Sequence, residues 1–95
     1  MATFAVTYTY AEDSAGARDQ HRPEHKNFLE GHFDAGRLRV SGPLGADGAP
    51  GALLVFEAES ADELAGLLDQ DPFHREGLIA LRTIRAWQIF FGGVK

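Results

Sequence analysis

Ninety-five residues with 44% hydrophobic and 24% charged side chains describe a small folded domain, read as one domain over 1–95. A net charge of −5 with scattered Lys and Arg argues against nucleic acid or an anionic membrane as partner. With no cysteine the chain has neither disulfides nor thiolate chemistry, and it shows no signal-like N-terminus and no long apolar run, which points to the cytoplasm.

Residues 3–10 alternate, with Phe4, Val6, Tyr8 and Tyr10 on one side, as a strand does. The small, acidic stretch 11–17 reads as a loop, and a helix is predicted over 19–35, with Phe28, Leu29 and Phe33 as its apolar stripe and Gly36 as its stop. A short strand over 37–40 should end at Ser41-Gly42-Pro43, and 44–50 has the Gly, Ala and Asp content of a hairpin connection. Residues 52–58 form the third strand. Ser60 and Glu63 make a capping box for a helix burying Leu64, Leu67 and Leu68. Asp71-Pro72 opens one more helical turn, closed by Gly77, and 82–91 reads as the last strand. The order β-α-β-β-α-β predicts an α+β fold, a four-stranded antiparallel sheet with two helices on one face.

Both faces of that sheet are apolar. Leu53 and Val55 oppose Leu54 and Phe56, and Ile84, Ala86 and Phe90 oppose Trp87, Ile89 and Phe91. Two helices cover only one face, and at about 25 cal/mol per Å² a further ~1,000 Å² of buried apolar surface is a large term for so small a domain. A homodimer packed face to face is the expected solution.

The chemistry concentrates in Arg22-Pro23-Glu24-His25 and Asp71-Pro72-Phe73. His25 continues the core-facing stripe, three residues before Phe28 and four before Leu29. A histidine there suits proton transfer, although its position alone favours a core-edge residue satisfied by a backbone carbonyl. Arg22, one turn earlier, could grip a carboxylate or phenolate, or pair with Asp19 or Glu76. Asp71 before proline is a natural N-cap, a role compatible with accepting a bond from an imidazole. His21 and His25 have the i, i+4 spacing of a metal pair but lack a patterned third ligand, so no metal is assigned. No phosphate loop, nucleophile elbow or other cofactor motif is present, and no cofactor is expected. Some of the aromatics are placed to line an apolar pocket beside His25.

The chain resembles the YciI-like (YCII-related) proteins over nearly its whole length. The resemblance rests on the opening strand, Arg22-Pro23-Glu24-His25-Lys26-Asn27-Phe28-Leu29, and Gly36-Arg37-Leu38 leading to Ser41-Gly42-Pro43. It continues through Asp71-Pro72-Phe73, Gly77-Leu78 and the closing strand to Trp87. It implies a ferredoxin-like fold dimerised into an α/β barrel, and a His–Asp pair, here His25 and Asp71, with Arg22 and Ser41 as substrate-binding neighbours. Chemistry known among such proteins includes dehydrochlorination of a chlorinated hydroxyquinol, and similar barrels include muconolactone isomerases. The expectation is therefore a cofactor-free lyase or isomerase acting on a small cyclic or aromatic anion. The alternative is a non-catalytic homodimer that binds a small ligand or serves assembly. The 44–50 connection is compact where some relatives carry longer inserts, which bears on pocket shape.

Overall fold

The computed structural model describes residues 1–93. The elements are β1 (Ala2–Tyr10), α1 (Ala15–Asp34), β2 (Leu38–Pro43), β3 (Gly51–Ala58), α2 (Ala61–Leu68), α3 (Pro72–Arg75) and β4 (Ile79–Ala86). The four strands form an antiparallel sheet in the order β2-β3-β1-β4. This is the α+β architecture the sequence predicts, with the short α3 as a third helix.

β1 sits centrally and its period of two sorts its side chains. Phe4, Val6 and Tyr8 are buried, facing the helices beside Phe56, Leu54 and Ala52 of β3. Gly51 lies so close to β1 that a Cβ there would stand 2.1 Å from the Tyr8 carbonyl oxygen, so this rung requires glycine. Leu64 and Leu68 of α2 complete the core with Leu38 and Ala58. As expected, the Ser60 Oγ accepts the Glu63 N–H at 3.1 Å, while the Glu63 carboxylate takes the N–H of Glu59 at 3.2 Å.

Four boundaries or faces depart from the sequence reading. α1 starts at Ala15, not 19, because Ser14 serves as its N-cap residue and its carbonyl accepts the Arg18 N–H at 2.7 Å; the small residues taken for a loop include alanine, the best helix former. β2 runs through Ser41-Gly42-Pro43 after an irregularity between Leu38 and Val40, and Pro43 is tolerated because β2 is an edge strand. β4 spans Ile79–Ala86 rather than 82–91, its register with β1 closing at Phe4–Ala86 and followed by the Trp87 N–H to the Thr3 carbonyl at 2.9 Å. Phe90 and Phe91 consequently lie exposed beyond the sheet. Phe33 is also exposed, whereas Phe28 and Leu29 pack on the core. No residue of α1 is fully buried, so this helix lies over the sheet with space beneath its first turns.

The other sheet face has no helix. Val40, Leu53, Leu81 and Trp87 are exposed apolar residues there or at its margin, while Val55 is buried between its neighbours. Among the described residues no helix is long and apolar enough to cross a membrane.

Candidate active site

Asp71 is fully buried, and every oxygen of its carboxylate is engaged. Its backbone turns from the α2 end into α3, and Oδ1 caps that turn by accepting the Phe73 N–H at 2.9 Å. The same Oδ1 lies 2.8 Å from Nδ1 of His25, which crosses from α1. Oδ2 accepts the Tyr8 hydroxyl, from the centre of β1, at 3.0 Å. Three elements therefore converge on one carboxylate, which accepts from each of them. Because the carboxylate accepts, the proton of the imidazole sits on Nδ1, and Nε2 is the nitrogen open to proton exchange with another molecule. Burial first, then the Asp71 charge and its hydrogen bond, push the Tyr8 phenol well above its usual range, so it stays a donor.

Phe73 fixes the imidazole from its flat side. The two rings stack with centroids 3.9 Å apart and planes within 2°, and Tyr10 meets Phe73 edge-on at 5.8 Å. The imidazole is thus held through one nitrogen and one face, with its side chain 12% exposed.

That exposure opens into a cavity of about 520 Å³ between α1 and the sheet. The volume falls within the roughly 300–1,000 Å³ usual for small-molecule sites. Tyr8, Tyr10 and Leu54 line its floor, Arg18, Arg22, His25 and Lys26 its helical wall, and Ser41 of β2 its far side. No lining residue is acidic, so the wall is cationic around an apolar floor.

The structure thus brings together His25 and Asp71, and places Arg22 and Ser41 on the same cavity. Arg22 is nevertheless bonded to Asp19 of its own helix, one of the two pairings open to it in the sequence. Glu76 instead lies 3.8 Å from His21, which also meets Glu24 at 3.5 Å, so His21 and His25 turn to different carboxylates. His74 lies 3.4 Å from Asp69, half exposed on the α3 turn.

Three residues were not singled out in the sequence. Tyr8 was there only a strand residue and Phe73 only part of the Asp71 motif, neither with a role of its own, although a tyrosine on the inner face of a central strand must find a partner for its hydroxyl. Arg18 was hidden because it fell at the edge of the supposed loop.

The chain is thus an α+β domain with helices on one face of its sheet and a buried carboxylate–imidazole pair at the wall of a cationic cavity. The family model of the YCII-related domain matches residues 2–88, and the chain belongs to that family. Among solved structures it is similar to the 5-chloro-2-hydroxyhydroquinone dehydrochlorinase TftG from Burkholderia phenoliruptrix AC1100, in complex with 2,5-dihydroxybenzoquinone. The TM-score is 0.80 with 29% identity, over 90% of this chain and 93% of that one. Protein Atu4242 from Agrobacterium tumefaciens matches with a TM-score of 0.58 and 16% identity, over 93% of this chain and 92% of that one, a likeness of fold. The search of curated proteins gives no match.

Proposed function

We propose that this protein is a cofactor-free acid–base enzyme of the lyase or isomerase type, acting on a small cyclic or aromatic anion. The observation that carries this reading is the His25–Asp71 bond of 2.8 Å, made by a fully buried carboxylate at the wall of a cavity. Burying a carboxylate is costly unless it is well paired, and a helix cap alone does not need so deep a site. Similarity to a dehydrochlorinase of a hydroxyhydroquinone narrows the substrate class to hydroxylated rings.

His25 exchanges a proton with the substrate through Nε2. Asp71 holds the Nδ1 tautomer, orients the ring and stabilises the imidazolium formed when Nε2 takes a proton. Arg22 and Ser41 line the same cavity and give the substrate polar surroundings on two sides. On a halogenated hydroquinone one hydroxyl proton is delivered to the carbon that bears the halogen, the halide leaves with the carbon–halogen electron pair, and the second hydroxyl proton is released. That carbon ends as C–H while the ring becomes the quinone, so no external oxidant is required. An isomerisation would use the same group to remove and return a proton.

The protein works as a homodimer in this proposal, with the open sheet faces together. The apolar residues exposed on that face support it.

The test is halide release from 5-chloro-2-hydroxyhydroquinone. Wild-type turnover is expected, with a loss of about 10²–10⁴-fold in His25→Ala, the usual share of acid–base catalysis. Activity that survives His25→Ala in a folded protein overturns the role of His25. Binding without turnover by the wild type replaces the enzyme with a ligand-binding module.

A further inference from the structure

We propose that Arg18, rather than Arg22, is the residue that holds the acidic oxygen of a planar ring ligand in this cavity. This rests on the reading of the cavity as a site for hydroxylated rings, and assigns the group that selects the ionised form.

The earlier start of α1 brings Arg18 into the helix and onto the cavity wall. Positions 18, 22 and 25 follow the i, i+4, i+7 pattern and share a face. Seven residues at 1.5 Å each set the backbones of Arg18 and His25 about 10 Å apart along the axis. That is the span of a six-membered ring with a hydrogen-bonded oxygen at each end.

The Arg18 head group is held in place before any ligand arrives. Its Nε donates to the Ser14 Oγ at 3.0 Å, and that hydroxyl donates onward to the Ala11 carbonyl at 2.6 Å. Its guanidinium carbon lies 4.3 Å from the centre of the Tyr10 ring. Tyr10 in turn packs edge-on against Phe73, which stacks on His25. A continuous chain of contacts therefore connects the guanidinium to the imidazole. Burial raises the Tyr10 phenol, although Arg18 opposes the shift, so the guanidinium rests on a neutral ring.

Arg18 also keeps its charge available. The contacts above engage Nε and one face of the guanidinium, and among the described residues no carboxylate pairs with it. The terminal nitrogens of the fork are left to bind an anion. Arg22 differs in this respect, since Asp19 already neutralises it. A ligand that recruits Arg22 must compete with a carboxylate three residues away on the same helix, whereas Arg18 needs no release.

The favoured ligand is thus a flat ring carrying an acidic enol or phenol oxygen, with Arg18 at that oxygen and His25 at the opposite edge. The uncharged ether of the same ring should gain nothing from Arg18.

The experiment measures equilibrium binding of 2,5-dihydroxybenzoquinone, whose enol groups are ionised at neutral pH, by its visible absorbance at fixed ionic strength. Wild type, Arg18→Gln, Arg18→Lys and Arg22→Gln are compared, with circular dichroism as the check of folding. Arg18→Gln is expected to raise Kd by about tenfold or more, the worth of one charge-assisted bond, and Arg22→Gln by about threefold or less. Arg18→Lys, which keeps the charge without the fork, should fall between wild type and Arg18→Gln, and it carries the test if the glutamine variant fails to fold. The neutral 2,5-dimethoxybenzoquinone should bind wild type and Arg18→Gln alike. With the substrate, Arg18→Gln should raise KM more than it lowers kcat. Equal losses in Arg18→Gln and Arg22→Gln, or a larger loss in Arg22→Gln, overturn the assignment and leave the ring-binding cavity standing. If the wild type fails to bind the quinone, both the assignment and the substrate class fall.

Discussion

The two faces of the sheet are made by the same strands with the same alternation, yet they end in opposite situations. On the helix side Val6, Phe56 and Leu54 are sealed, and Tyr8 brings a hydroxyl into the core only because Asp71 is there to accept it. On the other side Leu53 and Val40 remain 37% and 49% exposed, beside polar groups that include the Thr7–Thr83 hydroxyl pair, Arg85 and the Glu57 carboxylate, which meets Arg39 at 2.9 Å. Alternation decides which residues share a face, but not what lies above it. The covered face carries both the core and the site, while the open face leaves large apolar side chains exposed among its polar ones.

The largest effects should come from the covered face. Phe56→Ala is expected to cost about 3–5 kcal/mol in denaturant titration, against about 1 kcal/mol or less for Leu53→Ala in the same strand of a single chain. That contrast holds at dilution to monomer; at concentrations where the proposed dimer forms, the Leu53→Ala cost should rise toward that of Phe56→Ala, and a cost independent of concentration would remove Leu53 from the interface. Asp71→Asn should cost about 1–3 kcal/mol, because asparagine keeps the cap at Phe73 but no longer offers the carboxylate to His25 and Tyr8. Its turnover should fall by about 10²-fold or more, and a variant as active as wild type would reduce Asp71 to a helix cap.

Charge on the open face gives a smaller change in stability and a clear change in assembly. Val40→Lys with Leu53→Lys should shift sedimentation from dimer to monomer while leaving the fold of one chain intact. An unchanged profile would remove the open face from the interface.

The smallest effects are those of pH. Burial and the neighbouring Arg37 lower the His32 pKa, and its Nδ1 accepts from Arg37 at 3.0 Å, a bond only the neutral ring can take. The folded chain therefore binds fewer protons there than the unfolded chain. The stability is fully present above the unfolded value of 6.5 and is lost as pH falls below it. Tyr8 runs the other way, because its raised pKa gives stability present below the unfolded value of 10.0 and lost as pH rises beyond it. His32→Gln should flatten the acid side of a stability–pH curve and Tyr8→Phe the alkaline side.

Much of the site was legible along the chain because its parts obey local rules. Asp71 before Pro72 announces a helix cap, and His25 ahead of Phe28 and Leu29 announces a core-facing position. Their meeting, 46 residues apart, is a matter of how α1 lies across the sheet, which local pattern does not report. The same holds for Phe73, whose stacking on His25 looks like ordinary burial until the two rings are seen together. Arg18 escaped notice because a run of small residues gives a weak helical signal, and Ser14 defines the helix start through its backbone carbonyl and its place beside Arg18. The end of β4 escaped for a different reason, since apolar residues continue past Ala86 although the paired register with β1 stops there.

By itself the sequence determined the order of elements, the alternation that assigns each strand residue to a face, and the two short motifs that hold His25 and Asp71. These follow from backbone propensity and from the periods of helix and strand, which act over a few residues. Only the tertiary structure decided that one buried carboxylate serves His25, Tyr8 and Phe73 together, that Asp19 claims Arg22, and that Arg18 stands at the cavity with its fork unpaired by any carboxylate of the described residues. Those outcomes depend on distances between groups far apart in the chain. A hydrogen bond or ion pair goes to the partner that packing brings within reach.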